Sequence, residues 1–177
     1  DGWVDLVAGT MDSGQGHATA YAQVVTELLG VPFDCVHLLE GDTDRVKFGT
    51  GSHSSRSMRL AGTLMKQCAD EIIEKGRDIA ARVLESAPGD IQFSAGIFTI
   101  AGTDRALSIF QVAEAAAEQG GKLEAGHEIT ELMTAFPNGC HVCELEVDAE
   151  TGAVNILRHS AVDDVGRIIN PVLVEGQ

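Results

Sequence analysis

The stretch Trp3-Val4-Asp5-Leu6-Val7-Ala8-Gly9-Thr10-Met11-Asp12-Ser13-Gly14-Gln15-Gly16-His17 passes from an apolar run through a glycine-rich loop into a helical pattern. Residues 3–8 suit a short strand after the Asp1-Gly2 turn signal. The spacing beyond predicts a helix from His17 to Leu29, with Tyr21, Val24 or Val25, and Leu28 on one face. Gly30 supplies a left-handed stop, and Pro32 cannot continue the helical hydrogen-bond ladder. Cys35 to Leu39 then reads as a second strand.

Further along, Gly41 to Ser57 is polar and rich in Gly and Ser, and is too long for a simple connector. A long helix is expected from Met58 to Ser86, with Leu60, Leu64, Cys68, Ile72, Ile79 and Val83 at mostly helical spacing, before Pro88-Gly89 breaks it. Residues 91–100 form a hairpin pattern about Ala95-Gly96, and Ser108 with Gln111 makes a capping-box signature for a helix through Gln119. Gly120 to Gly139 lacks periodicity and reads as an extended excursion. Val142 to Val147 and Ala153 to His159 read as a hairpin, and Asn170-Pro171 joins an N-cap to a proline at the first helical position. Strands and helices do not alternate strictly, so the expected class is α+β, a mixed sheet with packed helices. There is no internal repeat.

Composition bounds the function. The chain has 177 residues, 44% of them hydrophobic and 22% charged, which supports a core and excludes collagen, coiled coil and disorder. No apolar run approaches the roughly 18 residues of a membrane span, and no export signal opens the sequence. Twelve Lys and Arg against 27 Asp and Glu give a net charge of −15. Long-range attraction to nucleic acid or anionic membrane is therefore not expected. Four cysteines are too few for a disulfide scaffold, and a reducing, cytoplasmic location is expected. Cys140 and Cys143 lie three apart on an expected strand, facing opposite sides, and read as ordinary strand residues rather than a zinc or redox pair. Asp1-Gly2 without an initiator Met, and Gln177 in what reads as a helical first turn, lead us to expect part of a larger subunit.

The loop Gly9-x-x-x-x-Gly14-Gln15-Gly16 copies the spacing of a phosphate-binding loop at a helix N-terminus. Gln15 stands where that loop needs lysine, and Gly16 where it needs a metal-binding hydroxyl, so nucleotide hydrolysis is disfavoured. Backbone N–H groups and one neutral amide suit a ligand bearing a phosphate or a hydrogen-bonding ring; on this loop alone a plain strand–helix turn is an equally good reading. Gly49 to Ser57 offers hydroxyls and small residues before a second helix, as a ligand site or a solvated loop. Adjacent Asp163 and Asp164 suggest metal binding or acid–base work, but in a strand-to-helix loop they read better as capping or solvated acids.

Five segments in order carry a resemblance. Gly14-Gln15-Gly16-His17-x-Thr19-x3-Gln23 is followed by Glu40-Gly41-Asp42-Thr43-Asp44 and Gly51-Ser52-His53-Ser54-Ser55-Arg56-Ser57. Val147-Asp148-x-x-Thr151-Gly152 and Asp163-Asp164-x-Gly166-Arg167-x-Ile169-Asn170-Pro171, with Glu175-Gly176-Gln177, complete the set. Together they resemble the molybdenum hydroxylases, that is, xanthine dehydrogenase, aldehyde oxidase and aerobic carbon monoxide dehydrogenase large subunits, the last type most of all. The resemblance covers essentially residues 1–177, which it implies are one domain, or a domain fragment, of the cofactor-binding region of a larger subunit.

The resemblance implies that Gln15, Gly16 and His17 hydrogen-bond molybdopterin cytosine dinucleotide or its shorter form. It also implies that Gly51, Ser52, His53, Ser54, Ser55 and Ser57 form a second cofactor segment near phosphate and pterin, and that Gln177 contacts the cofactor. Such enzymes hydroxylate aldehydes or N-heterocycles with water, or oxidise carbon monoxide, and pass electrons to iron–sulfur clusters and FAD on partner subunits or domains. The catalytic glutamate and the copper-binding cysteine loop belong to segments outside this chain, so the resemblance assigns no catalytic residue here and implies that the fragment alone is inactive. No cysteine matches iron–sulfur spacing. His17 and His53 fall in cofactor-type segments, whereas His37, His127, His141 and His159 suit structural roles. The implied partners are the remainder of the large subunit, the iron–sulfur and FAD components, and a small-molecule substrate. A noncatalytic interaction module that keeps the fold without cofactor is the competing reading; a phosphate-loop nucleotide binder ranks third.

Overall fold

The computed structural model describes residues 2–49, 51–129 and 135–177. Asp1 of the opening turn, Thr50 of the second loop and residues 130–134 of the excursion lie outside the described residues. The chain divides into two compact units, one of residues 2–129 with 169–177, the other of residues 135–168.

In the first unit, β1 (Val4–Val7) pairs in parallel with β2 (Val36–Leu39), Val4 opposite Val36 and Val7 opposite Leu39. Parallel partners need a crossover, and α1 (His17–Leu29) supplies it over the range its sequence predicts. Gly30 ends α1 at φ 63° and its N–H returns to the Thr26 carbonyl. The second strand begins one residue later than expected because Cys35 closes a single 3-10 turn, Phe33–Cys35. Helix α2 (Ser57–Val83) follows the second loop.

A three-stranded antiparallel sheet packs with these helices: β3 (Ile91–Ser94), β4 (Ile97–Ile100) and β5 (Ala106–Ser108), ordered as numbered. Ala95 and Gly96 turn the β3–β4 hairpin with φ 46° and 79°, the left-handed pair that matches strand twist. Helix α3 (Ile109–Glu118) carries the full capping box: the Ser108 hydroxyl accepts from Gln111 N–H, and the Gln111 side chain accepts from Ser108 N–H. The core holds Tyr21, Val31, Phe98 and Val112 at its most buried points.

The apolar stripe expected on α2 is only partly buried. Leu60 and Ile79 enter the core with Met65, Ala69 and Ala80, whereas Leu64, Cys68 and Ile72 are half-buried and Val83 is exposed. Leu64, Cys68 and Ile72 instead line an apolar cavity of about 660 Å³, shared with Val25 and Leu28 of α1 and with Phe48. The stripe is real in sequence, but its middle borders this cavity at the edge of the core, where Ile72 still packs against the core, rather than being fully enclosed.

The second unit is a long hairpin, β6 (Asn138–Val147) and β7 (Val154–Asp164), exceeding the predicted strands at both outer ends. Asp148 organises its turn, accepting from the Thr151 N–H and hydroxyl and the Glu150 N–H. The Thr151 bonds, first the N–H, hold the Asp148 carboxyl below its usual range. Cys140 and Cys143 lie on β6 as free thiols. Helix α4 (Pro171–Gly176) belongs to the first unit, with the Asn170 side chain accepting from Leu173 N–H at its start. Among the described residues no helix is long and apolar enough to cross a membrane.

Candidate functional site

Strand β1 ends at Val7, and the loop that follows must turn to launch α1. Its close approach to the second loop depends on glycine: a Cβ at Gly9 would meet the Phe48 carbonyl oxygen at 2.5 Å, and one at Gly49 would meet the Gly9 oxygen at 2.3 Å. Only backbones without side chains pass at this distance.

The two predicted loops converge on one acceptor. The Met11 carbonyl oxygen accepts from Gln15 Nε2 at 3.2 Å and from the Ser52 hydroxyl. Gln15 Nε2 also lies 3.2 Å from His17 Nε2, and Gln15 Oε1 accepts from Ser13 N–H at 2.6 Å. Both amide protons of Gln15 are thus engaged within the loop, leaving one lone pair of Oε1 to receive a donor. Because Gln15 Nε2 can only donate, the geometry assigns His17 Nε2 as acceptor and places the ring proton on Nδ1.

The loop entering α1, read from sequence as an anion cradle, is partly occupied by a side chain of the chain itself. Asp12 Oδ1 accepts from Gly14 N–H at 2.7 Å and Gly16 N–H at 3.3 Å, and Oδ2 from His17 N–H at 2.8 Å. Burial raises the Asp12 pKa, but the hydrogen bonds from the Gly14, His17 and Gly16 N–H groups outweigh it, and the net displacement is downward. A carboxylate held this way leaves those donors unavailable to a ligand phosphate. This role was missed because Asp12 lies five residues ahead of the first helical residue; the Asp-x-Gly-x-Gly pattern was the available signal.

Beneath the loop lies a small polar core. His17 is 4% exposed and stacks on Tyr21, ring centroids 4.6 Å apart. Tyr21 pairs its hydroxyl with that of Thr10 at 2.9 Å. Burial raises the Tyr21 pKa, and the negative charges of Glu40 and Asp12 add to it over the opposing Thr10 and Ser57 hydroxyls, so the phenol stays protonated. Glu40, just beyond β2, accepts from Asp12 N–H through Oε1 at 2.8 Å.

The second loop presents a different surface. Ser54 and Ser55 both adopt left-handed backbone, φ 54° and 52°, an uncommon strain for adjacent non-glycine residues. His53 Nδ1 lies 3.0 Å from the Ser54 hydroxyl, and Arg56 reaches His53 Nε2 at 3.1 Å. Helix α2 has no side-chain cap on its first turn, so its N-terminal donors and the Arg56 charge stay on the loop side. Gly14 and Gly51 have open space where a Cβ would stand.

Of the predicted residues, Gln15, His17 and Ser52 come together around Met11, and His53 and Ser54 join at Arg56. Gly16 lies against α4, where a Cβ would meet Leu173 Cδ2 at 2.6 Å. Gln177 closes α4 through its backbone N–H, which bonds the Leu173 and Val174 carbonyls. Among the described residues no group of three or more His, Cys, Asp or Glu is arranged to hold a metal ion.

Comparison with known proteins gives a consistent answer. Residues 1–177 match the model of the molybdopterin cofactor-binding domain family. The chain is 35% identical to the carbon monoxide dehydrogenase large chain of Hydrogenophaga pseudoflava, covering 96% of this chain and 22% of that protein. It is also 35% identical to the nicotine 6-hydroxylase large subunit of Paenarthrobacter nicotinovorans, covering 99% and 23%. The solved reconstituted CO dehydrogenase from Oligotropha carboxidovorans superposes with a TM-score of 0.83 at 33% identity, over 98% of this chain and 22% of that one. The chain therefore spans under a quarter of the length of these relatives.

Proposed function

As the chain belongs to the molybdopterin cofactor-binding domain family, we propose that its two glycine-rich loops form part of the cofactor cradle of a molybdenum hydroxylase large subunit. The observation that carries this reading is the meeting of Gln15 and Ser52 at the Met11 carbonyl, which makes one surface of two segments far apart in sequence.

The donor set fits a neutral heterocycle joined to an oxyanion. Gln15 offers an amide oxygen, and the strained Ser54-Ser55 turn, the uncapped start of α2 and Arg56 offer donors and positive charge. The loop entering α1, where Asp12 takes the Gly14, Gly16 and His17 N–H groups, contributes shape and the Gln15 amide. The assignment of Gly16, His17, Gly51, His53, Ser57 and Gln177 to the same cradle rests on their positions in these loops and in α4, and the dinucleotide form is the cofactor we assign.

When bound, the molybdenum–pterin group supplies two-electron oxidation of a substrate carbon or of carbon monoxide. Residues of this chain hold and orient the cofactor; the acid–base step falls to segments elsewhere in the large subunit. Iron–sulfur and FAD components accept the electrons. On this reading the 177-residue piece has no turnover of its own.

Molybdenum analysis of the purified full-length protein tests this directly. Near-stoichiometric metal is expected, and its absence would support the interaction-module reading. Assay of the isolated chain with aldehydes and an artificial electron acceptor should give no turnover; robust turnover would overturn the division of labour.

A further inference from the structure

Glu40 connects to the cofactor loop at two points. Its Oε1 accepts from Asp12 N–H at 2.8 Å, and its Oε2 lies 3.7 Å from His17 Nδ1. At that separation the second pair makes no hydrogen bond, and neither buried atom has a hydrogen-bond partner among the described residues. Their side chains are 6% and 18% exposed, for His17 and Glu40 respectively, so solvent competes poorly for either. The far side of the same imidazole meets Gln15 Nε2.

From this geometry we propose that Glu40 is a positioning residue that fixes the ring orientation and tautomer of His17 and thereby sets the Gln15 amide to present its oxygen to a cofactor N–H group. The physical chain is short. A carboxylate facing Nδ1 favours the proton there and leaves Nε2 as acceptor. An acceptor at Nε2 demands the amide nitrogen of Gln15, which also satisfies the Met11 carbonyl. The amide oxygen is then directed to Ser13 N–H and to a ligand donor. Reversing the amide would set two acceptors against each other at Met11. The other Glu40 oxygen holds Asp12, whose carboxylate secures three N–H groups of the same loop. A single side chain at the end of β2 thus controls both the loop backbone and its reading group.

This inference rests on the assignment of Gln15 to the cofactor. Its test is a double-mutant cycle in the full-length molybdenum enzyme, read as the rate of molybdenum loss during dialysis. Gln15→Ala should speed loss about tenfold, and Glu40→Gln should do so by a similar factor, because its amide can drive the opposite tautomer. The double variant should exceed Gln15→Ala by no more than about twofold, as expected when one residue acts through the other. A merely structural role for Glu40 predicts that the two factors multiply. Full multiplication, or an unchanged rate for Glu40→Gln beside a faster Gln15→Ala, overturns the proposal and leaves the cofactor assignment standing. An unchanged rate for Gln15→Ala overturns both. Should Glu40→Gln not fold, Glu40→Asp, which keeps the charge but shortens its reach, enters the same cycle with the same expected non-additivity.

Discussion

Gly76 of α2 lies directly under the ring of Phe98, so that a Cβ at position 76 would sit 2.3 Å from Phe98 Cζ. Phe98 is fully buried, and glycine inside a 27-residue helix is tolerated here because it admits the aromatic ring. Gly76→Ala should destabilise the full-length protein by about 1–3 kcal/mol through overpacking, despite alanine's better helix propensity. Phe98→Ala should cost about 3–5 kcal/mol by leaving a cavity. Denaturant unfolding measures both; a stabilised Gly76→Ala would refute the contact.

A second contact places α4 against the cofactor loop. Gly16 at φ 79° admits no side chain without strain, and Leu173 fills the space where a Cβ would lie. Gly16→Val should lower molybdenum content of the full-length protein at least severalfold, with a smaller loss for Gly16→Ala. Leu173→Ala combined with Gly16→Ala should recover part of the loss, since the steric conflict is removed while the backbone strain remains. Metal analysis of the four proteins decides it.

The Asp12 carboxyl titrates below its usual value, so its contribution carries a defined pH sign. The ionised group stabilises the folded loop fully above the ordinary aspartate range, about 3.9. That contribution is lost as pH falls through the depressed folded value. Asp12→Ala should therefore cost about 1 kcal/mol at neutral pH, as a lost N-cap does. The two stability curves should converge in acid. Unfolding free energies measured from pH 7 down to the onset of acid unfolding would show this; a constant gap would count against the capping role.

Tyr21 gives a complementary case. Its pKa is raised chiefly by burial, so its hydroxyl remains a proton donor or acceptor toward Thr10 through mildly alkaline pH. Tyr21→Phe keeps the ring stacked on His17 but leaves the buried Thr10 hydroxyl without this partner. A loss of about 1–2 kcal/mol is expected, with molybdenum content less affected than in Gln15→Ala. Unfolding and metal analysis on the same preparation separate the two effects.

Much of the fold was legible where local chemistry is strong. Helix α1 matches its sequence reading because Gly16 precedes it and Gly30 ends it in left-handed backbone. The Ser108–Gln111 box and the Asn170-Pro171 start behave the same way. Strand β5 was not foreseen: three residues, Ala106–Ser108, carry no periodicity, and pairing with β4 alone defines them. The β6–β7 hairpin outran its prediction because all its residues are exposed in this chain, so its ends show no alternation between buried and solvent faces. In the site, the glycine-rich loops were visible as segments, but their meeting at Met11 was not, since a backbone carbonyl leaves no mark in sequence. Asp12 was hidden for a related reason: its type permits many roles, and only the folded loop shows which one is used.

The Asp12 bridge has a consequence for how the holoprotein is assembled. A loop whose donors waited for a ligand would be loose until the ligand came. With Asp12 bridging Gly14, Gly16 and His17, this loop can keep its shape in the apoprotein, and an arriving cofactor meets a finished mould. The ordering entropy of the segment is then settled during folding rather than at insertion, which favours tight capture by a rigid surface.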